Sequence, residues 1–574
     1  MPERQAKFLP CGIADYTVLC GGDYVFVDKT KYIERLERSG LLYTFIVRPR
    51  RFGKTLFTSL LQLYYDKMEE ENFQRYFGST YIGSRRTKLA NTFRVLHFDF
   101  SGLSSGNIKE NFAASLKKSF DLFLHSYPDD DCRQILEGSS ADPAMLLDRF
   151  MTAVYKRYGK TVYVLIDEYD QFANEILSQD KEQFKETTSS NGFLKNFYAK
   201  LKEATGLHGA VARIFMTGVT PISIDSMTSG FNIATNITDD PAFAAMFGFT
   251  EEELLSVIAE ASDGAHSPGQ PQDILARMKE LYDGYSFSSS SSEHVFNPSM
   301  CFYYLRSLLG TQQEPRNLLD PSCAQDLSKI HGLLNIGDED LVADIIDTIL
   351  HRRTIDFTEI SPSININSGC LAEDDILSLM YYLGYLTLSE DKSSLKVPNR
   401  TVRQQFFHYY FKFVRNLKKF TLNAEKFQDS FAALRAGNPR PVVEKVLEAL
   451  KESFRINASL HLRESDISTA MTMAANFSSD YRAITGLEVS HPGRGYADLL
   501  LEPVRKEADY PAYLFELKYL PQSAAEPAKI KALLQDALNQ IEHYRSGASL
   551  AEYPRLVCAA CVVAGLDLVE FVVC

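Results

Sequence analysis

In the first part of the chain, short apolar runs alternate with longer segments of helical period. The apolar runs are typical of buried β-strands, and they cover residues 41–47, 93–100, 161–170 and 212–219. Long connections between short buried strands are typical of a parallel sheet whose crossovers contain helices. The pattern therefore predicts an α/β fold here, with a mostly parallel sheet and flanking helices.

The middle of the chain has a mainly helical pattern. One segment there, Tyr381–Val402, reads as strand, polar turn and strand, and a hairpin that follows helices suggests a winged-helix-like module. The last part returns to mixed α and β periodicity. We therefore expect an N-terminal α/β domain of residues 1–245, a helical and winged-helix-like middle region of residues 246–450, and a C-terminal α/β domain of residues 451–574.

Composition supports a folded multidomain protein, since 574 residues exceed what one core usually organises. The formal net charge of -13 gives no global electrostatic footprint for nucleic acid, although it leaves room for a local basic patch. The start of the chain has no apolar signal-peptide core, and no run approaches the ~18 apolar residues of a membrane span. Nine cysteines, an odd number, are typical of reduced thiols. We expect a cytoplasmic protein without a membrane partner.

The segment RPRRFGKT, Arg48–Thr55, lies between a predicted strand and a predicted amphipathic helix. It ends like a phosphate-binding loop, but Arg48 stands where the first glycine of that motif belongs. In such a loop, amides at the helix N-terminus face the phosphates, the lysine reaches the β and γ oxygens, and the hydroxyl binds Mg²⁺. The alternative is a basic turn in front of a helix. The predicted nucleotide-binding residues of the loop are Arg48, Pro49, Arg50, Arg51, Phe52, Gly53, Lys54 and Thr55.

Two further strand ends carry polar residues that suit the same chemistry. The run VYVLIDEYD ends in Asp167 and Glu168, and RIFMTGV contains Thr217. An aspartate at this place binds the Mg²⁺ shell, and the next carboxylate orients or deprotonates the attacking water. The hydroxyl of Thr217 would position that water, whereas the alternative reading of the acids is a surface strand end. The combination predicts ATP binding, with Thr55 and Asp167 at the Mg²⁺.

Charged residues also interrupt apolar runs near the C-terminus. Asp498 enters one run, and Glu516 and Lys518 lie in another, where their i, i+2 spacing places both side chains on one face of a strand. Two carboxylates can hold Mg²⁺, and the metal then activates water, while the lysine adds positive charge. The alternative for the ExK spacing alone is a solvated strand edge. An upstream acid completes such a set, and we prefer Glu464 to Asp466, with an N-cap as the alternative role.

Several segments of the chain resemble those of a known family. The segments IVRPRRFGKTLFTSLLQLYYD, VLIDEYDQ, MTGVTPIS and FGFTEEEL resemble the AAA-ATPase-like family that carries a C-terminal PD-(D/E)XK nuclease domain. The resemblance spans nearly the whole chain, and in that family RPRRFGK is the normal form of the loop. It implies a P-loop NTPase fold followed by a restriction-endonuclease-like fold, with ATP at Lys54 and Thr55 and with Asp167 and Glu168 as hydrolytic carboxylates.

The resemblance also assigns the C-terminal residues. Asp498, Glu516 and Lys518 correspond to the D…ExK set of PD-(D/E)XK nucleases. Gln540 and Tyr544 lie four apart on one face of a predicted helix. This pair is similar to that of the RecB-like branch, where it supports the active site or touches the DNA backbone. The predicted catalytic residues are Glu168, Asp498, Glu516, Lys518, Gln540 and Tyr544, and Asp498, Glu516 and Glu464 are the predicted metal ligands.

The roles of the loop arginines stay open between two interpretations. Arg48, Arg50 and Arg51 either contact phosphates or clamp charge on a neighbour. Alternatively, Arg48 and Arg51 pair with carboxylates and fix the loop.

Two functional hypotheses follow. The first is an ATP-dependent nuclease, with DNA favoured over RNA as partner, room for a homo-oligomer, and defence or mobile-element biology by analogy. The second is a nucleotide switch or scaffold whose C-terminal domain binds nucleic acid or protein without cleaving. Residues 451–574 carry more acidic than basic side chains, which weakens the first hypothesis. The basic, aromatic-rich residues 400–420 are the candidate DNA contact, or else a half-buried helix with a basic face.

Overall fold

The fold was analysed in a computed structural model of the chain. It describes residues 7–102, 107–137, 142–171, 192–221, 232–262, 269–315, 317–320, 339–352, 354–364, 371–403, 422, 424–454, 464–475, 477–478, 480–489, 495–504, 510–545, 550 and 553–574. Most of the basic segment 400–420 lies outside these residues. The chain forms two compact units, one of residues 1–345 with 354–402 and one of residues 346–353 with 403–574.

The first unit contains an α/β core and a set of helices after it. Its helices are α1 Tyr16–Gly21, α2 Lys31–Arg38, α3 Lys54–Tyr65, α4 Phe73–Phe77, α5 Ile108–Ser126, α6 Asp130–Glu137, α7 Pro143–Tyr158, α8 Phe193–Glu203, α9 Glu251–Ala261, α10 Pro271–Tyr282 and α11 Pro298–Thr311. Helix α12, Glu339–Arg352, contains the boundary between the units, and α13 is Glu373–Tyr382. The strands are β1 Tyr43–Val47, β2 Arg94–Asp99, β3 Val162–Asp167, β4 Val211–Gly218, β5 Thr235–Asn236, β6 Thr354–Asp356, β7 Thr387–Leu388 and β8 Ser394–Lys396.

The core sheet of this unit has the strand order β2-β3-β4-β1-β5, and every pair in it is parallel. The four apolar runs of the sequence are its strands β1 to β4, so the predicted parallel sheet with flanking helices is confirmed. The register places Asp99 beside Asp167, and Ile46 beside Thr217. The carboxyl ends of these strands therefore meet at one edge, where ligands of such sheets bind.

The helices after the sheet have clear starting signals. Thr250 and Glu253 form a capping box at α9, and Asn297 accepts the amides of Ser299 and Met300 at the start of α11. Helices α9, α10 and α11 share one apolar cluster that also includes Val25 from the N-terminal segment. This packing brings the N-terminal segment and the later helices to the same side of the core.

A small antiparallel sheet of order β6-β8-β7 follows in the same unit. Its strands β7 and β8 form the hairpin predicted within Tyr381–Val402. The winged-helix-like character of the surrounding region stays a prediction.

The second unit is built on a five-stranded mixed sheet of order β13-β12-β11-β10-β9. Only the β11–β12 pair is parallel, so the predicted C-terminal α/β fold is confirmed. Its strands are β9 Tyr481–Val489, β10 Gly495–Pro503, β11 Ala512–Leu520, β12 Leu556–Ala564 and β13 Asp567–Val573. Its helices are α14 Gln428–Arg435, α15 Arg440–Phe454, α16 Glu464–Ala475 and α17 Pro527–Arg545.

Helix α17 covers one face of this mixed sheet. Ala537 and Ile541 of the helix share a buried cluster with Leu500 of β10 and Leu514 of β11. The polar side of α17 is thereby held near the charged residues of β11. Within the described residues, no helix is both long and apolar enough to cross a membrane.

Candidate active sites

The loop of residues 48–53 connects β1 to α3 at the carboxyl edge of the core sheet. Gly53 has φ 94°, a left-handed conformation that suits glycine, and α3 begins at Lys54 immediately after it. No side chain caps this helix end, and the amides of its first turn lack intrahelical partners. The arrangement of strand, loop and helix N-terminus is therefore suited to an anion.

Lys54 is buried and its ammonium lies over the loop. Its Nζ donates to the carbonyl oxygens of Arg48 at 3.1 Å and Pro49 at 3.2 Å. The same Nζ lies 3.7 Å from Oε1 of Glu168. The cation predicted to meet phosphate is thus held between the loop and the acidic strand end.

Arg48 points into the protein, with none of its surface exposed to solvent. Its guanidinium donates to the carbonyl oxygens of Val47, Thr238 and Phe243 at 2.9, 2.9 and 3.2 Å. Burial lowers the pKa of Arg48 to about 10, so the group is still a cation at neutral pH. These contacts favour the interpretation in which Arg48 fixes the loop, with backbone carbonyls as partners in place of carboxylates.

The other predicted loop residues divide into two sets. Arg50 donates to Oε1 of Gln171 at 2.6 Å, and Arg51 is exposed at a left-handed φ of 66°. Phe52, in contrast, is only 2% exposed and packs edge-on against aromatic rings of residues 285 and 287. Pro49 lies against Gly384. Arg51 is thus the loop arginine on the solvent side, whereas Pro49 and Phe52 face the protein.

Asp167 and Thr217 meet at the ends of β3 and β4. Oδ1 of Asp167 accepts a 2.6 Å bond from the Thr217 hydroxyl and a 3.1 Å bond from the amide of Glu168. Both Asp167 and Thr217 are buried. The structure thus joins these two polar strand ends to each other, and their roles at a Mg²⁺ and an attacking water stay predictions.

Glu168 has the left-handed φ of 53°, which is unusual for a non-glycine residue and turns its side chain towards Lys54. Burial raises the pKa of Glu168 above its usual range, and the Lys54 ammonium opposes that shift. A carboxylate with a raised pKa at a cleft is suited to proton transfer.

A cavity of about 840 Å³ opens beside the loop. Arg51, Lys54, Thr55 and Glu168 contribute polar groups to its wall. The remaining wall is largely apolar and comes from the N-terminal segment, the segment before α9 and helix α11, with Val25, Phe247, Phe249, Phe302 and Tyr303 among its residues. Its size and mixed lining are typical of a small-molecule site.

Sequence reasoning missed Asp170, three residues beyond Asp167. Its carboxylate is fully buried and accepts the amides of Val219 and Thr220 at 3.0 and 2.7 Å and the Thr220 hydroxyl at 2.7 Å. A Cβ added at Gly218 would lie 2.4 Å from its Oδ1. Asp170 therefore locks the chain after β4 to the chain after β3. The signal was the second aspartate of VLIDEYD, whose partners are remote in sequence.

The C-terminal charged residues come together on β10 and β11. The antiparallel register pairs Leu499 with Phe515, which places Asp498 directly beside Glu516 on the same face. Oδ2 of Asp498 also accepts the Leu517 amide at 2.8 Å.

Glu516 is only 1% exposed. Its Oε1 accepts a 3.1 Å bond from Lys518 Nζ, whereas its buried Oε2 has no hydrogen-bond partner. Burial raises the pKa of Glu516 well above its usual range, and repulsion from Asp498 and Glu464 adds to the shift against the effect of Lys518. An unpartnered carboxylate oxygen beside a second carboxylate fits a bound cation, because a positive charge would favour the ionised form.

Helix α17 supplies the remaining partners of Lys518. Its Nζ donates to Oε1 of Gln540 at 3.1 Å and lies 3.5 Å from Oδ2 of Asp536. The Tyr544 hydroxyl is 3.5 Å from the same Gln540 oxygen. Burial disfavours the charged ammonium, but Glu516 and Asp498 outweigh burial and raise the pKa of Lys518. Asp536 was not singled out from the sequence.

Glu464 begins α16 and its Oε2 accepts the amide of Tyr519 at 2.9 Å, next to Lys518. The structure thus brings Glu464 to the predicted site. Among the residues that the structure describes, no three His, Cys, Asp or Glu side chains are already arranged to hold a metal. The hard oxygen donors suit Mg²⁺, but Lys518 shares the space with them.

Two family models match two separate segments of the chain. Residues 10–228 match the family model described as predicted AAA-ATPase, and residues 463–568 match a model of the PD-(D/E)XK nuclease superfamily. The chain therefore combines an AAA-ATPase-like domain with a PD-(D/E)XK nuclease superfamily domain. The resemblance read from the sequence motifs is confirmed.

A curated relative and two solved structures are also similar. The relative is an uncharacterized protein in the vnfD 5′ region of Azotobacter chroococcum mcd 1, 28% identical over 296 residues. That match covers 51% of this chain, and the chain spans about half (50%) of the relative's length. A Walker-type ATPase of Pyrococcus abyssi has a TM-score of 0.41 and 13% identity, covering 66% of this chain and 96% of that one. The Aeropyrum pernix ORC2 protein has a TM-score of 0.34 and 11% identity, covering 68% and 93%.

Proposed function

We propose that this protein binds and hydrolyses ATP with Mg²⁺ and that nucleotide turnover is coupled to a metal-dependent PD-(D/E)XK nuclease that acts on DNA. The observation that carries the proposal is the convergence, at each site, of a buried or half-buried glutamate with a lysine ammonium. At the first site the pair is Glu168 with Lys54, and at the second it is Glu516 with Lys518.

In the AAA-ATPase-like domain, residues of the chain bind ATP and orient the attacking water. The amides at the start of α3 and the Lys54 ammonium bind the phosphates, and the apolar wall of the cavity receives the nucleoside. Mg²⁺, held by Thr55 and Asp167, would neutralise charge on the phosphates. Glu168 accepts the proton of the attacking water, and Thr217 holds Asp167 in position.

In the nuclease domain, Asp498, Glu516 and Glu464 would hold Mg²⁺, and the metal would supply an activated water and stabilise charge on the phosphate. Lys518 adds positive charge at the scissile phosphate, and Gln540 orients its ammonium. Tyr544 in turn holds the Gln540 amide. DNA is the favoured substrate by analogy with the superfamily, as is a role in defence or mobile-element biology.

A cleavage assay on the full chain tests the nuclease. Linear, circular and single-stranded DNA, and an RNA, are incubated with Mg²⁺ or Mn²⁺, with and without ATP. Lys518→Ala is expected to lower cleavage by about 100-fold or more, since its ammonium faces the carboxylates. Lys529→Ala is the matched control, because Lys529 also pairs with a glutamate but is exposed. Equal cleavage by the two variants would refute the assignment.

Calorimetry with ATP and ADP tests the nucleotide site. Lys54→Ala is expected to weaken ATP affinity by about 100-fold, since a charge-assisted contact to phosphate is lost. Lys200→Ala, a surface lysine paired with Glu203, serves as its control. Full affinity in Lys54→Ala would show that the loop does not bind the phosphates.

A second candidate function is a nucleotide switch whose C-terminal domain binds nucleic acid or protein without cleaving. It is favoured by the ion pair between Lys518 and Glu516, and by the finding that no three metal-ligating side chains of the described residues are arranged to hold a metal. This candidate predicts ATP binding without metal-dependent cleavage in the same assays.

A further inference from the structure

The loop of residues 48–53 packs against residues that lie beyond the matched AAA-ATPase segment. The contact residues Tyr285, Phe287 and Gly384, here called the clamp, belong to the same compact unit as the loop. Phosphate loops contact their ligand mainly through backbone amides. The side chains of such a loop are therefore not needed for that contact and can instead hold the loop against the residues behind it.

Phe52 makes the first anchor. Its ring lies edge-on to Tyr285 at 5.1 Å and to Phe287 at 5.2 Å between ring centroids. Its carbonyl oxygen accepts the Gly248 amide at 3.2 Å, so backbone and ring are both held. Edge-to-face pairs of this kind have a preferred geometry, and a rotation of the loop would disturb them.

Pro49 makes the second anchor at Gly384. This glycine has φ 81°, and a Cβ added there would lie 2.9 Å from Cγ and 3.0 Å from Cβ of Pro49. The backbone of residue 384 therefore touches the proline ring with no room between them. Movement of Pro49 towards this backbone is blocked unless the backbone also moves.

Arg48 makes the third anchor, because its guanidinium carbon lies 4.6 Å from the centre of the Phe287 ring. A buried cation over an aromatic face is attracted to it. Three of the six loop residues, Arg48, Pro49 and Phe52, thus contact the clamp. The clamp itself is tied to the small sheet: the amide of Ser286, between the two aromatic residues, donates to the Thr387 hydroxyl of β7 at 2.8 Å.

Lys54 links this packing to the presence of phosphate. Its Nζ donates to the carbonyl oxygens of Arg48 and Pro49, the two anchored residues next to each other in the loop. A phosphate oxygen is a stronger acceptor for an ammonium than a neutral carbonyl. When the ammonium turns to phosphate, these two carbonyls lose a charged partner and the anchored backbone is released to adjust.

We propose that the clamp is a nucleotide-sensing element: it positions the loop for phosphate, and phosphate binding changes its packing and that of the hairpin β7–β8. The inference rests on the nucleotide binding proposed above and extends it to residues outside the AAA-ATPase match. By reciprocity, a change at the clamp alters nucleotide affinity.

Calorimetry with Mg²⁺ and ATP on the full chain tests this inference. Gly384→Ala is compared with Gly40→Ala, which has a similar φ of 70° but nothing within 4 Å of an added Cβ. Both variants strain the backbone, but only the first pushes against Pro49. Gly384→Ala is expected to weaken ATP affinity about tenfold more than Gly40→Ala. Adding Pro49→Ala to it removes the nearest atom and is expected to recover part of the loss.

Equal affinities for the two glycine variants would overturn the inference while leaving the proposed function intact. Absence of ATP binding in the wild type would overturn both. Melting temperatures verify folding, and if Gly384→Ala does not fold, Tyr285→Leu removes one edge-on partner of Phe52 and is expected to weaken affinity in the same direction. Unchanged affinity in a folded Tyr285→Leu would also count against the clamp.

Amide hydrogen exchange provides the direct readout of sensing. On addition of Mg²⁺ and ATP, deuterium uptake of residues 385–396 is expected to change in the wild type, whereas a peptide from helix α7 serves as an internal control. A clamp that only holds the loop in place would leave deuterium uptake in residues 385–396 unchanged when ATP binds. If the wild type binds ATP and uptake in residues 385–396 stays the same, the clamp does not sense the nucleotide.

Discussion

The two candidate sites both hold carboxylates partly or wholly away from water, but the groups around those carboxylates differ. At each, strands place carboxylates at a polar edge, and loss of contact with water raises the pKa of one glutamate: the half-buried Glu168 in the first unit and the buried Glu516 in the second. At the first site the neighbouring Asp167 is satisfied by Thr217 and a backbone amide. At the second, Asp498 repels Glu516, and one oxygen of Glu516 has no hydrogen-bond partner.

The difference indicates how much each site depends on an added cation. At the first site, Asp167 already has its hydrogen-bond partners without a bound ligand. A ligand is therefore needed there mainly for the reaction, not to satisfy this carboxylate. At the second, repulsion from Asp498 and Glu464 raises the pKa of Glu516 against the effect of Lys518, and a bound metal ion would relieve that repulsion. A test that separates charge from hydrogen bonding should therefore affect the two sites differently.

The largest effect is expected at the first site from Glu168→Gln. The amide keeps the size of the side chain but cannot accept a proton from water, so ATP hydrolysis is expected to fall about 100- to 1,000-fold. ATP affinity should stay close to that of the wild type, since Lys54 and the loop are unchanged. Steady-state phosphate release and calorimetry measure the two quantities.

Glu203→Gln, a surface change in helix α8, is the control for this prediction. If hydrolysis survives in Glu168→Gln, another group must act as the base, and the similarity between the two sites is then only structural.

A smaller effect is expected from Asp170→Asn. The amide nitrogen would face the donor of either Val219 or Thr220, so the lock after β4 loosens and Thr217 loses its fixed position. We expect kcat for ATP hydrolysis to fall about tenfold with little change in KM. Asp148→Asn, a partly exposed aspartate on α7, is the control. A change in KM alone would assign Asp170 to ligand binding.

The sequence predicted the strands, the loop and the two carboxylate sets because these depend on local patterns. Apolar runs ending in Asp167 or flanking Glu516 indicate strands and their polar ends without knowledge of distant contacts. The register of β10 and β11 then brings Asp498 beside Glu516, on the strand that carries Lys518.

The unpredicted features all depend on long-range packing. Arg48 has the charge of a phosphate ligand, but carbonyls of Thr238 and Phe243, remote in sequence, draw it inside. Likewise, the apolar wall of the cavity comes from the N-terminal segment and α11, which no local period connects to the loop. Residue type indicates the available chemistry, whereas the direction of a side chain is decided by partners far along the chain.

A stability measurement sharpens the comparison from the side of the second site. Because the folded state raises the pKa of Glu516, it binds the proton more tightly than the unfolded state. Metal-free stability is then highest below the ordinary glutamate pKa and falls as pH rises towards the raised value. Glu516→Gln cannot ionise, so it is expected to be about 1 kcal/mol more stable than the wild type near about pH 8 and equal near about pH 4.

Denaturant unfolding at the two pH values, in the presence of a chelator, measures the difference. Glu570→Gln, at a partly exposed position on β13, is the control for a general charge effect. If Glu516→Gln is less stable than the wild type at the higher pH, its carboxylate is well compensated, and the contrast between the two sites does not hold.

The smallest effect is expected at Asp536, which sequence reasoning did not select. Its carboxylate lies 3.5 Å from Lys518 Nζ and accepts the Gln540 amide at 3.0 Å, but it is largely exposed. Because exposed ion pairs contribute about 0.2–1 kcal/mol, Asp536→Asn is expected to lower cleavage only about two- to fourfold. The loss should shrink at high salt, which screens this carboxylate far more than the buried Glu516. A loss as large as that of Lys518→Ala would instead place Asp536 among the metal ligands, and a salt series on both variants decides between these outcomes.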